Sequence, residues 1–458
     1  MPLFHPEAIN VYSTAADLTT AEVKLASTRS FQQEMQLINL YPTYHFQQWN
    51  GFGGAVTQTV AQLYEGLSPQ ARRDFLEEHF SPEKRNYHLV RTPVQSCDFG
   101  PGPQSFIKHL WQDPHEAFDL SSCEDQLIPM LKDIAAFNPK VEFMVTPWSP
   151  PAYMKTNHLM RFGGHLKTWH EKTWAYLIAR YVHELRSRGI PVTRLSVQNE
   201  PRARQVWESC LMNASQEVRL ARKIRARLQD LGIGDVKILA WDHNKERLLD
   251  RVEEARRVWG NAGNPFDGWA FHWYAGDHFE VLAHLASEGD LGELVMSEGC
   301  EYFSTDASAR HAFGEHYAHD IIGDMNAGAT AWLDWNMMLD EQGGPTYVKN
   351  FCSAPVEAHT DTATFQVLPS ARYLWHFSRF VQPGARRILA SSYTSNLEVT
   401  AWENPDDSLA CVVLNRTTED IPFFLRKGDH MAELSAGPHS IQTIVWDPPA
   451  ATHKEKRS

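Results

Sequence analysis

Short apolar runs alternate with longer segments of helical periodicity through the middle of the chain. Eight runs predict strands, namely Trp49–Ala55, His88–Pro93, Val141–Pro147, Arg194–Gln198, Lys237–Trp241, Gly268–Trp273, Glu293–Ser297 and Ala329–Asp334. The segments between them, such as Trp169–Ser187 and Ser215–Leu231, carry apolar residues at the spacing of a helix. Eight strands with intervening helices predict an α/β fold, a (β/α)₈ TIM barrel, although a doubly wound sheet gives a similar pattern.

The pattern changes near Phe380, where short alternating segments replace the helices. Five segments predict antiparallel strands, namely Arg387–Ser391, Leu397–Trp402, Leu409–Leu414, Ile421–Leu425 and Ser440–Trp446. The N-terminal segments Ala8–Ser13 and Ser30–Leu40 are expected to add strands to the same β-sandwich. We therefore predict four regions: N-terminal strands in residues 1–45, the barrel in 46–378, the sandwich in 379–450 and a polar tail in 451–458.

Composition and charge limit the kinds of partner. The 458 residues carry a formal net charge of −13, which disfavours nucleic acid and anionic membranes as partners. No stretch approaches the roughly 20 apolar residues of a membrane span. The N-terminal sequence lacks a basic start followed by an apolar run, so we expect no signal peptide and a cytoplasmic location. The oligomeric state stays open.

Cysteine and histidine patterns give little support to a metal site. The six cysteines are scattered without a CxxC pair, which is typical of reduced thiols. No HExxH motif, Asp-rich loop, P-loop or dinucleotide fingerprint is present. His243, in a Trp-Asp-His segment, is a lone candidate ligand that we interpret as structural. We therefore expect neither a metal nor another cofactor.

Polar and aromatic residues recur at the ends of six predicted strands. They are Arg91 and Asp98 at the second strand, Trp148 at the third, Asn199 and Glu200 at the fourth, His272 and Tyr274 at the sixth, Glu298 at the seventh and Trp335 at the eighth. Barrel enzymes carry their active residues at these strand ends. We therefore expect these side chains to form one site.

Two of these strand ends present a glutamate. Glu200 is followed by Pro201 and Glu298 by Gly299, so each follows a β-rich run and is flanked by a turn former. Glycoside cleavage needs one carboxyl that protonates the leaving oxygen and one carboxylate that attacks or activates water. The sequence therefore predicts Glu200 and Glu298 as such a pair.

Ten short stretches together form a specific pattern. They are Gly51–Ala55, Ser96–Phe99, Pro147–Pro150, Lys155–Asn157, Asn199–Pro201, His272–Tyr274, Ser297–Glu298, Asp334–Asn336, Gly343–Pro345 and Val412–Arg416. With these stretches the chain resembles glycoside hydrolase family 30, in its glucosylceramidase branch, over nearly its whole length. The resemblance implies a barrel fused to a β-sandwich built from both chain ends, and hydrolysis with retention.

The resemblance also implies roles for individual residues. Glu200 matches the general acid/base and Glu298 the nucleophile. Asn199 matches a residue that binds the sugar 2-hydroxyl, and Asp98, Trp148 and Trp335 match glycone-binding residues. His272 and Tyr274 match residues around the nucleophile. Arg91 matches an arginine that supports the site from behind, and Asn350 lies in a segment that matches an entrance loop.

Two departures from the family pattern concern the leaving-group side. Gln198 stands where the glucosylceramidase branch carries a glutamate, and the loops 97–131 and 200–215 differ in sequence.

In the expected mechanism Glu298 is ionised at rest. Glu200 is protonated, because the charge of Glu298 and partial burial raise its pKa. Retention then requires the two carboxyls to lie about 5–5.5 Å apart.

The predicted function is that of a β-glucosidase acting on glucosylceramide-like lipids or short β-linked gluco-oligosaccharides. Within the enzyme class, β-xylosidase, β-fucosidase and β-1,6-glucanase activities remain alternatives. A transglycosylase would share every residue named above. A sugar-binding protein without catalysis is the alternative from another class, although the presence of both carboxyls argues against it.

Overall fold

The structure, a computed structural model, describes residues 8–15, 18–27 and 36–447. The chain divides into two compact units. The barrel unit comprises Gly51–Arg310 and Ala327–Ala371, and the sandwich unit comprises Met1–Asn50, His311–Asn326 and Arg372–Ser458. The predicted polar tail, 451–458, lies outside the described residues.

The units change at residues 51 and 372, near the predicted boundaries at 46 and 379, and residues 311–326 group with the sandwich strands. Side chains of this helical segment bond to those strands. His319 contacts the carboxylate of Glu398 at 2.6 Å, and the amide of Asn326 donates to the carbonyl of Val399 at 2.8 Å. Helical periodicity alone does not show these contacts, because their partners are distant in sequence.

Eight parallel strands close the barrel and confirm the predicted architecture. We number them β1 (Gly51–Ala55), β2 (Leu89–Val94), β3 (Glu142–Pro147), β4 (Val192–Ser196), β5 (Lys237–Asn244), β6 (Gly268–His272), β7 (Glu293–Glu298) and β8 (Ala331–Asn336). Each pairs with its neighbour in chain order, and β8 pairs with β1 to close the ring. Apolar side chains from six of the strands pack together, as in the filled interior of a TIM barrel.

Ten helices are found among the described residues. They are α1 (Gln58–Gly66), α2 (Pro69–Phe80), α3 (Ser121–Glu124), α4 (Leu127–Phe137), α5 (Glu171–Ser187), α6 (Ala214–Asp230), α7 (Leu248–Trp259), α8 (Phe279–Glu288), α9 (Ala307–Asn326) and α10 (Pro369–Ser378). The two helices predicted above correspond to α5 and α6. Helix α5 starts two residues later than predicted because Thr168–His170 forms a 3₁₀ turn. Asn213 caps α6 by accepting a hydrogen bond from the backbone N–H of Gln216.

The sandwich unit contains a ten-stranded sheet. Its strands are Ala8–Thr14, Leu18–Lys24, Ala26–Ser27, Leu37–Gln48, Arg386–Ser392, Leu397–Glu403, Leu409–Asn415, Ile421–Lys427, His430–Ala436 and Ser440–Trp446. Buried side chains from both the N-terminal and the C-terminal strands share one core, which confirms that both chain ends build this domain. The predicted strand at residues 30–40 lies partly outside the described residues, and the observed strand begins at Leu37.

Loops after β7 and β8 carry short sheets that the sequence pattern does not predict. Glu301–Tyr302 pairs with Cys352–Ser353, and Leu339–Asp340, Val356–His359 and Thr364–Val367 form a second small sheet. These strands are too short to show a period of two residues. No helix among the described residues has the length and apolar character that a membrane crossing requires.

Candidate active site

A cavity of about 360 Å³ opens where the barrel strands end. It is lined by Asp98, Trp148, Asn199, Glu200, Gln205, Trp207, His243, Asn244, Tyr274, Glu298, Cys300, Tyr302, Trp335 and Asn350. Most residues that the sequence singles out are in this set. Two others, Arg91 and His272, are fully buried and lie behind the cavity wall. The sequence analysis did not identify Gln205, Trp207, Asn244, Cys300 and Tyr302, because most of them lie in loops beyond the strand ends.

Glu298, the last residue of β7, is held by two donors. The guanidinium of Arg91 donates to Oε2 at 2.6 Å, and the hydroxyl of Tyr274 donates to Oε1 at 3.0 Å. Burial raises the pKa of Tyr274 well above its ordinary value, so its hydroxyl keeps the proton that it donates. Burial lowers the pKa of Arg91, but the charges of Asp242 and Glu298 outweigh this effect and raise it overall. The Glu298 carboxylate therefore faces a permanent cation and a fixed neutral donor.

Asp242 is a buried anion that the sequence analysis missed. Its carboxylate accepts from Arg91 at 3.1 Å and from the hydroxyl of Ser297 at 2.5 Å, and it lies 3.1 Å from Nε2 of His272. Burial raises the pKa of Asp242, but the charge of Arg91 and the bond from His272 outweigh burial and hold it far below its ordinary value. Asp242 therefore orients both the arginine and the imidazole.

Glu200 has an unusual backbone and a basic environment. Its φ is +44°, a left-handed conformation that costs a residue other than glycine on the order of 1–3 kcal/mol. Oε1 lies 3.4 Å from Nδ1 of His272 and 3.7 Å from Nδ1 of His243, and the Gln205 amide donates to Oε2 at 3.5 Å. The backbone N–H of Glu200 donates to the Asp242 carbonyl at 2.9 Å, which fixes the turn after β4.

The raised pKa expected for Glu200 is wrong. Burial raises the pKa of Glu200, but the hydrogen bond and charge of His272 and the charge of His243 outweigh it, so the net shift is downward. Burial lowers the pKa of His272, but the charge of Glu298 and the bond to Asp242 raise it to about 9. Burial lowers the pKa of His243 to about 4. The resting proton of the Glu200–His272 pair therefore lies on His272.

Two tryptophans form an aromatic wall in the cavity. The rings of Trp148 and Trp335 stack with their centroids 5.3 Å apart and an interplanar angle of 26°. The guanidinium of Arg91 lies over both rings, 4.8 Å from the centroid of Trp148 and 5.3 Å from that of Trp335. This cation–π contact positions the same guanidinium that holds Glu298. The two tryptophan rings and the Glu298 carboxylate therefore contact the same guanidinium group.

Asp98 and Asn350 meet at another side of the cavity. The Asn350 amide donates to Asp98 Oδ2 at 2.6 Å. Burial and the charge of Glu298 raise the pKa of Asp98 to about 8, so near neutral pH its carboxyl group is mostly protonated. A protonated carboxyl group both donates and accepts hydrogen bonds, which suits a sugar hydroxyl.

Asn199 and Gln198 have different positions although they are neighbours. The side-chain oxygen of Asn199 accepts from Arg91 at 2.8 Å, and this residue lines the cavity. The Gln198 side chain is buried and donates to the carbonyls of Trp148 and Asn199 at 2.8 and 2.9 Å. The side chain of Gln198 is not part of the cavity lining. Having glutamine in place of glutamate here therefore affects the hydrogen bonds that hold the backbone after β4.

Among the described residues, one group of possible metal ligands comes together, formed by Glu200, His243 and His272 with ligand atoms within 4.8 Å of one another. His272 also contacts Asp242, an arrangement that is common behind metal-binding histidines. The charge of the imidazolium and its proximity to Glu200 explain the cluster without an ion.

Two family domain profiles match the chain. The glycosyl hydrolase family 30 TIM-barrel domain matches residues 49–381, and the family 30 beta sandwich domain matches residues 384–444. The chain is 29% identical over 443 residues to the lysosomal acid glucosylceramidase of Mus musculus. This match covers 90% of this chain and 83% of that relative. It is 24% identical over 404 residues to the endo-1,6-beta-D-glucanase neg1 of Aspergillus fumigatus, covering 82% of this chain and 80% of the relative.

Solved structures show the same fold. The crystal structure of SrfJ from Salmonella typhimurium has a TM-score of 0.92 and 34% identity, covering 96% of this chain and 100% of that chain. The endo-beta1,6-glucanase BT3312 has a TM-score of 0.86 and 23% identity, covering 96% of this chain and 99% of that chain. Because the barrel and sandwich profiles together match most of the chain, in the order in which the two domains are observed, this protein belongs to glycoside hydrolase family 30.

Proposed function

We propose that this family 30 glycoside hydrolase is a retaining β-glucosidase that uses Glu298 as nucleophile and Glu200 as general acid/base. The observation that carries the proposal is that both glutamates line one cavity with the imidazole of His272 between them. Its Nδ1 lies 3.4 Å from Glu200 and its Nε2 lies 4.0 Å from Glu298. Two carboxyls at one sugar-sized cavity are the requirement for double displacement.

In the first step Glu298 attacks the anomeric carbon. Arg91 and Tyr274 fix both carboxylate oxygens before the substrate arrives, which lowers the cost of orienting the nucleophile. The bond between the anomeric carbon and the leaving oxygen breaks as the ester bond to Glu298 forms. Arg91 remains in place to stabilise the carboxylate when it is released again in the second step.

Glu200 must carry a proton when the leaving group departs. The lowered pKa of Glu200 and the raised pKa of His272 place this proton on His272, whose Nδ1 faces Glu200 Oε1 at 3.4 Å. A leaving group that excludes water from the cavity penalises the charged pair and favours transfer of the proton to Glu200. Glu200 then donates it to the leaving oxygen, and in the second step it removes a proton from the water that cleaves the ester.

The other cavity residues support a hexose in the glycone position. The stacked Trp148 and Trp335 offer apolar surface to the C–H groups of a sugar ring, and Asp98 with Asn350 offers hydrogen bonds to its hydroxyls. Asn199 is anchored by Arg91 beside the nucleophile, where it is placed for a hydroxyl next to the anomeric carbon. The glucosylceramidase and endo-1,6-glucanase relatives support glucose as this hexose.

Two kinds of leaving group are candidates. Gln205, Trp207 and Tyr302 line the same cavity and combine polar and aromatic groups. The relative identified as a glucosylceramidase favours a glucosylceramide-like lipid. The relative identified as an endo-1,6-glucanase favours a short β-1,6-linked gluco-oligosaccharide as the second candidate. Both candidates share the glucose unit that the proposal places beside Glu298.

A panel of aryl β-glycosides tests the proposal. We expect turnover of the β-glucoside, with less turnover of the β-xyloside and β-fucoside, and no turnover of the α-glucoside. Proton NMR of the product formed first should show β-glucose before mutarotation. First-formed α-glucose would refute retention, and binding without turnover of any aryl glycoside would refute the proposed activity.

A further inference from the structure

Two cysteine thiols meet beside the cavity. The sulfur atoms of Cys300 and Cys352 lie 3.3 Å apart, and both residues are partly exposed. The other four cysteines are buried. Cys300 lies two residues after Glu298, whereas Cys352 comes from the loop after β8, so the pair joins two separate loops of the active-site face.

We propose that Cys300 and Cys352 form a redox modification site that reacts with low-molecular-weight disulfides, closes to an intramolecular disulfide and thereby lowers catalysis. The covalent part of this proposal is independent of the proposed function. The effect on catalysis rests on the proposed function, because it acts through the residues around Glu298.

The backbone around both thiols keeps them together. Glu301–Tyr302 pairs with Cys352–Ser353 in an antiparallel ladder that includes the Tyr302 and Cys352 positions. The Ser353 hydroxyl donates to the Tyr302 carbonyl at 3.0 Å, and the Cys352 N–H donates to the Gly343 carbonyl at 3.1 Å. Thiols held in this way have a high effective concentration for each other, which favours an intramolecular over a mixed disulfide.

The reaction proceeds by two exchanges. One cysteine, as the thiolate, attacks the low-molecular-weight disulfide, forms a mixed disulfide and releases one thiol. The second cysteine attacks the mixed disulfide, forms the bond between Cys300 and Cys352, and releases the second thiol. The two cysteines lose two electrons and two protons in total, and the small disulfide is reduced to two thiols. The hydrogen bond to Cys352 and burial raise the pKa of Cys300, so the exchange is expected to be faster at alkaline pH.

Each thiol contacts a residue that bonds to a carboxyl group of the proposed site. Cys300 Sγ lies 3.6 Å from the hydroxyl of Tyr274, the donor to Glu298. Cys352 Sγ donates to the carbonyl of Asn350 at 3.5 Å, and the Asn350 side chain bonds to Asp98. Disulfide formation shortens the sulfur–sulfur distance from 3.3 Å to about 2.05 Å and removes both S–H donors. It is therefore expected to displace Tyr274, which bonds to Glu298, and Asn350, which bonds to Asp98.

Treatment of the full chain with oxidised glutathione tests the site. We expect the number of titratable thiols in the unfolded protein to fall from six to four, with a mass loss of two hydrogen atoms and a tryptic cross-link between the peptides of Cys300 and Cys352. We expect kcat/KM for the best substrate of the aryl panel to fall by up to about 10²-fold, and dithiothreitol to restore it. Six remaining thiols would overturn the proposal, and an unchanged kcat/KM with the disulfide formed would overturn its link to catalysis.

A pair of variants separates this site from general oxidation. Cys352→Ser cannot form the intramolecular bond, so it should show neither the loss of two hydrogen atoms nor the cross-link, and Cys300 can at most keep one glutathione as a mixed disulfide. Cys123→Ala, which removes a buried cysteine, should keep the wild-type response. A wild-type response in Cys352→Ser would overturn the proposal. If no glycoside is turned over, the proposed function fails, but the thiol count and the cross-link still decide whether the disulfide forms.

Discussion

The buried imidazole of His272 lies 3.4 Å from the carboxylate of Glu200, and the raised pKa of His272 with the lowered pKa of Glu200 places the proton of this pair on the imidazole. The pKa of His272 is raised to about 9, so the basic limb of the kcat/KM profile should report loss of this proton near that pH. In His272→Asn, Glu200 alone must hold the proton, and its pKa lies below that of the pair. We therefore expect the basic limb to move to lower pH.

The control for this prediction is His243→Asn. The pKa of His243 is lowered to about 4, so above that pH the variant removes an uncharged ring from the other side of Glu200. The basic limb of this variant should stay near that of the wild type. A limb that stays near pH 9 in His272→Asn would contradict the placement of the proton on His272.

Glu200→Gln tests the acid/base role through the leaving group. The variant cannot donate a proton, so hydrolysis of a β-glucoside with a poor leaving group should fall by about 10²–10⁴-fold. A dinitrophenyl β-glucoside needs no protonation, and the burst that reports its first step should be largely retained. Added azide should accelerate the second step and give the β-glucosyl azide. Equal losses on both substrates would assign Glu200 a structural role instead.

Asp98 should make the stability of the fold depend on pH. Its pKa is raised from 3.8 to about 8, so the folded protein keeps a proton that the unfolded chain releases between these values. The free energy of unfolding should therefore decrease across this range as pH rises, by at most about 1.4 kcal/mol per pH unit from this group. Asp98→Asn cannot titrate, and urea unfolding should show a shallower decrease than the wild type. Parallel curves for the two proteins would show that this carboxyl group is not protonated in the fold.

Asp242→Asn tests the buried network behind the cavity. The change leaves Arg91 and His272 without their shared anion, and loss of one partner of a buried ion pair costs about 3–5 kcal/mol. Chemical denaturation should show a decrease of this size in the free energy of unfolding. Asp290→Asn removes a largely exposed partner of Arg256 and should cost less than about 1 kcal/mol. Similar losses in the two variants would contradict the role of Asp242.

The barrel strands follow from the sequence because each is a short apolar run between helical segments. Glu200 and Glu298 follow from the same pattern, since a glutamate at the end of such a run has few structural reasons to be there. The strand His430–Ala436 was not predicted, although Ala432, Leu434 and Ala436 alternate with polar residues, because two of these three apolar residues are alanines, which are a weak strand signal. The unit to which α9 belongs depends on contacts such as that between His319 and Glu398, which are distant in sequence.

The electrostatics of the site follow only from the structure. Asp242 follows the apolar run Ile238–Trp241 within β5 and has a φ of +51°, and its partners Arg91 and Ser297 come from β2 and β7. A charged residue directly after an apolar run was the available signal. The pKa of Glu200 depends on His272, a residue 72 positions later in the sequence. Sequence spacing does not show that an imidazolium would outweigh burial there.

Trapping of the covalent intermediate tests the central claim most directly. A β-glucoside with fluorine at the second carbon and an activated leaving group slows both steps, but it slows release of the ester most. We predict time-dependent inactivation with one fluoroglucosyl group per chain, and peptide mapping should place that group on Glu298. An adduct on another residue, or turnover of the fluorosugar without any adduct, would contradict the account.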